Sequence, residues 1–204
     1  MLSTGSMDTV PCPNCGAGLT PPREAAAVVV CEFCNAYSLV HKGELSLAGK
    51  QAPLAEIPSL LEVGATGKLF GRPFTAIGRV RYDYEDGLWD EWSLFFEDGS
   101  MGWLQEDEGE LTLFEERIVH PEETDLDVSV GSQVPVAGHL IFVTEVGDAK
   151  LLGGQGQITS YLSPGQCFAY VDGTSSGRQA VAMSTSGMTV LYLGRPVEPG
   201  DLVR

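Results

Sequence analysis

The sequence predicts a mainly β protein, with an N-terminal zinc ribbon followed by an antiparallel β-barrel or β-sandwich body. Four of the five cysteines form two close pairs near the N-terminus. Beyond them no stretch of a dozen residues sustains a helical period, whereas short alternating or apolar runs recur between Gly and Asp turns. With 204 residues, 43% of them hydrophobic, the chain is long enough to bury a core.

The paired cysteines have the spacing C-x2-C-x15-C-x2-C and are Cys12, Cys15, Cys31 and Cys34. This spacing is typical of a four-thiolate zinc site, because two intervening residues let one tight turn aim both sulfurs at an ion about 2.3 Å away. Gly16 can take the left-handed conformation that such a turn needs. Residues 25–30 and 37–40 are expected to be the strands that enter and leave the second pair.

Zinc is the predicted metal, and iron is the alternative because rubredoxin-like sites use similar turns. Two disulfides in a secreted protein would also explain four cysteines. That interpretation is disfavoured because residues 1–10 lack the basic and apolar regions of a signal peptide, so we expect a cytoplasmic protein. A four-cysteine site has no open coordination position, so its metal is expected to stabilise the ribbon rather than catalyse a reaction.

Composition divides the chain into a ribbon (1–42), a linker rich in Gly, Ala, Pro and Leu (43–60) and a β-rich body (61–204). The linker is expected to separate two cores. Gly153-Gly-Gln-Gly156 is expected to be a hairpin turn, and Cys167, in an apolar run, a buried inert thiol. The strands predicted in the body are 74–83, 91–97, 102–105, 111–115, 134–136, 140–145, 157–161, 168–171, 180–184 and 189–193.

A short motif, Val-Gly followed seven residues later by Gly, occurs at 63–71 and again at 130–138. This repetition predicts two similar β units, 61–126 and 127–204. Chance similarity is the alternative, because the chain contains 25 glycines.

The segment Trp-Asp-Glu-Trp-Ser-Leu-Phe-Phe at 89–96 would present apolar groups on both faces of a strand. One interpretation is a central strand with aromatic side chains in two packing layers. The other is a partly exposed recognition surface, because tryptophan beside a carboxylate suits the capture of a cation or a peptide. The members of that surface would be Trp89, Glu91, Trp92 and Trp103.

Negative charge dominates the chain, with 28 Asp and Glu against 12 Lys and Arg and a net charge of −16. Between Asp83 and Asp127 there are 17 carboxylates against Arg117 alone. This balance disfavours nucleic acids and anionic membranes as partners, and no apolar run is long enough for a transmembrane segment. Acidic loops such as 106–110 and 122–125 can be a solvated surface, or they can bind a basic protein or a polyamine.

Residues 61–197 carry a set of motifs in order: Val63-Gly64, Gly71, 74–78, Trp89-Asp-Glu-Trp92, Gly99 with Trp103-Leu104, and Tyr170-Val-Asp172. In these the chain resembles an uncharacterised bacterial domain-of-unknown-function family, many members of which carry a similar four-cysteine ribbon. Members tend to be encoded beside phage-shock-like membrane-remodelling proteins and polyamine aminopropyltransferases, which implies an accessory role in membrane stress. The resemblance supplies no catalytic residues. Where members often have Gly-Glu-Leu-Pro, this chain has Gly156-Gln-Ile-Thr159, so a role of that acidic turn does not carry over.

The function predicted from these observations is a non-catalytic, zinc-containing binding or adaptor module. The alternative is an enzyme or a sensor of a polyamine or other cation, with a pocket between the two β units that gathers carboxylates such as Glu91 and Asp172. A deep pocket with convergent carboxylates of perturbed pKa would favour the sensor, and a flat, exposed aromatic patch would favour the module.

Overall fold

The computed structural model describes residues 9–84, 87–119, 126–185 and 188–204, and these residues form strands and turns. The prediction of a mainly β protein is confirmed, and none of the described residues lies in a helix that could span a membrane. The described strands are β1 (Val10–Pro11), β2 (Gly18–Leu19), β3 (Val28–Val30), β4 (Ala36–His41), β5 (Glu44–Lys50), β6 (Thr66–Leu69), β7 (Arg72–Tyr84), β8 (Gly87–Phe96), β9 (Met101–Asp107), β10 (Glu110–Val119), β11 (Gln133–Val136), β12 (His139–Ile158), β13 (Cys167–Ser175), β14 (Arg178–Thr185), β15 (Met188–Pro196) and β16 (Leu202–Val203).

Eight strands close into an antiparallel barrel in the order β7-β8-β9-β10-β15-β14-β13-β12, with β12 pairing back onto β7. The barrel therefore consists of two meanders, β7 to β10 and β12 to β15, each consecutive in the sequence. Antiparallel pairing of β10 with β15 and of β12 with β7 joins the two meanders.

The repeated Val-Gly motif marks two equivalent hairpins, β6–β7 and β11–β12. Each turns through two residues of positive φ, Phe70 and Gly71 in the first hairpin and Ala137 and Gly138 in the second. The hydrogen bond from the Gly64 amide to the Ala76 carbonyl has an equivalent 67 residues later, from the Gly131 amide to the Val143 carbonyl. The short strands β6 and β11 each pack into a separate apolar cluster with outward-facing side chains of the barrel.

The barrel interior is filled mainly by aromatic side chains. Tyr82, Trp89, Phe168 and Tyr170 belong to one buried cluster, in which the Tyr82 and Trp89 rings stack with centroids 4.9 Å apart. An eight-stranded barrel is just wide enough for side chains to fill it or to hold one small ligand. Here the middle of the barrel is a packed core.

Strands β7 and β12 approach so closely that glycine is required on both. A Cβ atom on Gly78 would overlap the carbonyl oxygen of Gln157, and one on Gly156 would overlap the carbonyl oxygen of Ile77. The expected hairpin turn at 153–156 is therefore wrong, because these glycines lie inside β12 and pair with β7. The predicted strands 140–145 and 157–161 overlap the two ends of this one long strand. Glycine here permits close backbone approach rather than a change of chain direction.

The ribbon shares a sheet and a core with the barrel. Strand β3 pairs with β12 at residues 156–158 on one side and with β4 on the other, so β3-β4-β5 continues the barrel sheet. Val28 and Val30 of β3 pack in the same buried cluster as Val80 and Leu151 of the barrel. The expectation of two separate cores is therefore not met.

The linker predicted at 43–60 is corrected in its first part, because Glu44–Lys50 form strand β5. This strand pairs with β4 across a two-residue turn at Lys42–Gly43, where both residues have positive φ. The side chain of Gln51, just beyond, exchanges hydrogen bonds with both main-chain groups of Gly154. Residues 51–61, hereafter the strap, have no regular structure but are fastened to the barrel.

We expect Gly78→Ala to lower the free energy of unfolding by about 2 kcal/mol, because overpacking a well-packed site typically costs about 1–3 kcal/mol. Urea denaturation measures the change. Gly87→Ala is the matched control, since a Cβ there would have its nearest neighbour, a Tyr84 ring atom, at an ordinary 3.7 Å. Equal losses in the two variants would contradict a special role for the β7–β12 approach.

Candidate metal centre and adjoining cleft

The four paired cysteines converge on one point. Their sulfur atoms all lie within 4.8 Å of one another, and the Cys12–Cys34 and Cys15–Cys31 sulfur distances are both 3.8 Å. Four sulfurs placed tetrahedrally about 2.3 Å from one ion would be separated by about 3.8 Å. The cluster therefore has the dimensions of a metal site, and these residues could hold a metal ion.

Two turns of the same geometry build the cluster. The Gly16 amide donates to the Cys12 carbonyl and the Asn35 amide donates to the Cys31 carbonyl, both at 2.9 Å. Both donor residues are left-handed, with φ of 76° for Gly16 and 54° for Asn35. The predicted conformation of Gly16 is confirmed. The role of Asn35 was missed, although Asn is among the residues that most readily adopt this conformation.

The protein environment favours the thiolate at one ligand and the thiol at another. The backbone amide of Ala36, donating to the sulfur, lowers the pKa of Cys34 to about 6. Burial raises the pKa of Cys31 to about 12. Because a metal binds thiolates, binding at this cluster releases protons and weakens as the pH falls.

The proposed aromatic recognition surface is corrected, because all of its members are buried. Trp92 is 1% exposed, and Trp89, Trp103 and Glu91 are 6%, 6% and 9% exposed. Strand β8 pairs with β7 and β9 along its two edges. One of its faces packs into the barrel interior and the other into the apolar cluster around β6. The interpretation as a central strand with two aromatic layers describes the structure.

Each of the three tryptophans donates its indole N–H to a carboxylate: Trp89 to Glu91 at 3.2 Å, Trp92 to Glu106 at 3.0 Å and Trp103 to Glu116 at 3.0 Å. Burial raises the pKa of Glu91 to about 7, and the charge of Glu116 adds to this shift. The tryptophan–carboxylate pairing seen in the sequence is real. It orients buried side chains instead of forming an exposed patch.

A second set of carboxylates meets at one end of the barrel. Burial, together with the charges of Glu145 and Asp107, raises the pKa of Asp172 to about 6. Burial likewise raises the pKa of Asp107. Tyr170 donates to Glu145, and Gln179 donates to Asp172 at 3.1 Å. Asp172 thus interacts with Asp107 and Glu145, whereas Glu91, expected beside it, interacts with Glu116.

Glu106 was expected in a solvated loop, and the structure corrects this. It lies in β9, where it accepts hydrogen bonds from Trp92, from the Ser59 hydroxyl at 2.6 Å and from the Leu60 amide at 2.7 Å. It therefore fastens the strap. The turn of the β9–β10 hairpin is only Glu108–Gly109. The acidic loop predicted at 122–125 lies outside the described residues.

A buried ion cluster lies beneath the strap. Arg81 donates to both carboxylate oxygens of Asp90 at 2.7 Å and also to the Ala55 carbonyl. Arg79 donates to the same carboxylate at 3.1 Å and to the Gln155 side chain at 2.7 Å. Two cations therefore share one carboxylate. Removing one partner of such a cluster is costly, because it leaves a buried charge uncompensated.

A cleft of about 780 Å³ lies between the ribbon, the strap and the barrel. The ribbon contributes residues on either side of the second cysteine pair, including Cys31 itself, and the barrel contributes Arg79 and Trp92. The cleft adjoins the junction of the two predicted β units, with Arg79 from the first and Gln155 from the second, but Glu91 and Asp172, the carboxylates expected there, are not among its lining residues. Sequence reasoning missed the cleft because its walls come from three segments that meet only in the folded chain.

Cys167 is exposed, which corrects the expectation of a buried thiol. It is the first residue of β13 and lies opposite Lys150 of β12. The alternation of the strand turns Phe168 into the barrel and Cys167 outward.

By fold and site, the molecule is an all-β barrel protein with an N-terminal four-cysteine cluster able to hold a metal ion. Residues 62–199 match the family model of DUF4178, a domain of unknown function. The chain therefore belongs to the DUF4178 family, in agreement with the resemblance drawn from its motifs. Comparisons with curated proteins and with solved structures found no match.

Glu91 predicts a pH dependence of stability. Its carboxyl group has a pKa of 4.5 in the unfolded chain and about 7 in the folded protein. The protonated carboxyl therefore contributes its full stabilisation of the folded state below pH 4.5, and this contribution is lost as the pH rises to 7. Glu91→Gln keeps a neutral group at every pH. We therefore expect the variant to gain up to about 3 kcal/mol relative to the parent between pH 5 and pH 8.

Urea denaturation at both pH values measures this gain, with the exposed Glu97→Gln as the control for loss of one negative charge. If the difference in free energy of unfolding between Glu91→Gln and the parent stayed constant from pH 5 to pH 8, the predicted pH dependence would be contradicted.

Proposed function

We propose that the protein is a non-catalytic, zinc-containing binding module of the cytoplasm, in which the metal holds the ribbon in place and the acidic barrel binds a basic partner. The convergence of four sulfurs at tetrahedral spacing carries this proposal. Four cysteine ligands complete the coordination of zinc and leave no position for a substrate, so the metal has a structural role. Four thiolates also suit iron, and we choose zinc because closed four-thiolate sites are its common structural use.

The shared core of ribbon and barrel gives the metal an influence beyond its own segment. Without it, the ribbon would keep only a small cluster around Val29, Ala36 and Val40. Because β3 also pairs with β12, loss of the ribbon would expose apolar barrel residues such as Val80 and Leu151. Metal binding and barrel stability are therefore coupled.

We expect the freshly purified, reduced protein to contain one zinc per chain, and Cys12→Ser to contain none. The variant should also lose several degrees of melting temperature over the whole chain, because ribbon and barrel share one core. Elemental analysis and calorimetry measure both effects. Cys167→Ser, which removes an exposed thiol outside the cluster, is the control.

Visible absorption together with one iron per chain would show that the bound metal is iron and not zinc. An unchanged barrel transition in Cys12→Ser would instead show that ribbon and barrel unfold independently.

The carboxylates at the barrel end favour a second candidate, a sensor of a polyamine or similar cation. Asp107 belongs to the first β unit and Glu145 and Asp172 to the second, so the group lies where the two units meet. Among the described residues, none of these three carboxylates forms an ion pair with Lys, Arg or His. The half-buried ring of Tyr84, whose hydroxyl group faces Asp107, could contact an ammonium group.

We expect spermidine to bind with an affinity that falls steeply as salt rises, because opposite charges at an accessible site are screened. Titration calorimetry at low and physiological salt measures it. Asp172→Asn should weaken binding about tenfold if the barrel end is the site. Glu97→Gln, which removes one exposed negative charge that is not among those acting on Asp107 or Asp172, should have little effect.

Equal effects of the two changes would assign the binding to general surface charge. Absence of binding at either salt concentration would contradict the sensor.

The membrane-stress role implied by the family resemblance concerns the identity of the partner. A basic protein of a membrane-remodelling system would fit the acidic barrel by charge. Affinity purification from the native host, repeated at high salt, tests this proposal, since an electrostatic partner should be lost at high salt.

A further inference from the structure

We infer that the cleft between ribbon, strap and barrel binds a small organic monoanion with an apolar body, such as a medium-chain carboxylate, and that Arg79 receives its anionic group. This inference goes beyond the proposed function, which assigns no ligand to the cleft. The observations that carry it are the size of the cleft, the buried charge at its floor and the apolar character of its inner wall.

The cleft has the dimensions of a small-molecule site. Its volume of about 780 Å³ lies within the range of about 300–1,000 Å³ that is usual for ligand pockets. Ile57, Leu61, Val63, Ile77 and Trp92 give it an apolar wall, and Gln155 and Gln157 add amide groups. About half of the lining residues are polar or charged, so the cleft can contact both the apolar and the polar part of an amphiphilic ligand.

Arg79 is the buried cation at the floor of this cleft. It is 8% exposed, and burial lowers its pKa. The charges of Asp90 and Glu106 favour the Arg79 cation and that of Arg81 opposes it. Arg81 occupies both Asp90 oxygens at 2.7 Å, and Arg79 makes one longer contact with Asp90 at 3.1 Å. Its Nε atom is buried without a hydrogen-bond partner among the described residues. A guanidinium in this situation favours an incoming carboxylate.

The charges at the rim restrict the anion to a single charge. Glu32, Glu56 and Glu62 line the cleft in exposed positions, where solvent screens them more than it screens Arg79. These glutamates leave the attraction of Arg79 for a monoanion in place. They disfavour the binding of a dianion or a polyanion, as does the net charge of −16. Arg23, also at the cleft, is the second cation available to a monoanion.

The metal-loaded full-length protein tests the inference, with decanoate, decylammonium and decanol as three probes that share one chain and differ in charge. Titration calorimetry below their micelle concentrations should show one decanoate per chain, bound at least tenfold more tightly than the other two. Arg79→Gln should reduce decanoate affinity at least tenfold. Arg72→Gln, which removes an exposed arginine of the same strand paired with Asp98, should leave it unchanged.

Arg79 is buried, so a second variant guards against a trivial loss through misfolding. Val63 is 40% exposed, and Val63→Trp should fill the cleft and abolish decanoate binding without touching the ion cluster. Equal binding of the three probes, preference for decylammonium, or unchanged decanoate affinity in both Arg79→Gln and Val63→Trp would overturn the inference. None of these outcomes bears on zinc content or on spermidine binding.

Discussion

The close approach of β7 and β12 is the constraint on which the rest of the structure depends. Gly78 and Gly156 remove the side chains that would keep the two backbones apart, and the resulting hydrogen bonds close two meanders into one barrel. The C-terminal end of β12 then offers residues 156–158 to strand β3. One approach of two backbones therefore closes the barrel, positions the ribbon and forms the cleft between them.

Among the described residues, four side chains of the ionisable types Arg, Asp and Glu are buried. Asp90 with Arg79 and Arg81 lies outside the barrel wall beneath the strap, and Glu91 lies within. Such groups are costly to bury, and a hydrophobic core would usually be at least as stable. The ion cluster fastens a strap that has no regular structure, because Arg81 also donates to the Ala55 carbonyl.

The aromatic residues that suggested an exposed binding surface are buried. The rings of Trp89, Trp92 and Trp103 are packed in the core, and their indole N–H groups donate hydrogen bonds to carboxylates. The cleft beside Cys31 has a buried arginine among its lining residues, whereas the group around Asp172 consists of carboxylates. This chain therefore combines an N-terminal four-cysteine cluster with a barrel that carries two chemically distinct groups of polar residues.

The amino-acid sequence by itself determined the local features: the four metal-ligand candidates, most of the barrel strands and the repeated Val-Gly motif. Each of these depends on residues close together in the chain, so spacing and alternation suffice to predict it. Only the tertiary structure decided that the glycines at 153–156 lie inside a strand, that Cys167 points outward and that the three tryptophans are covered. Those properties depend on which strand becomes the neighbour, and neighbours such as β7 and β12 are far apart in sequence. The same reason explains why the sequence did not predict the shared core of ribbon and barrel or the cleft. Both are formed by contacts between segments that are distant in the sequence, and no local sequence pattern indicates which distant segments will be in contact.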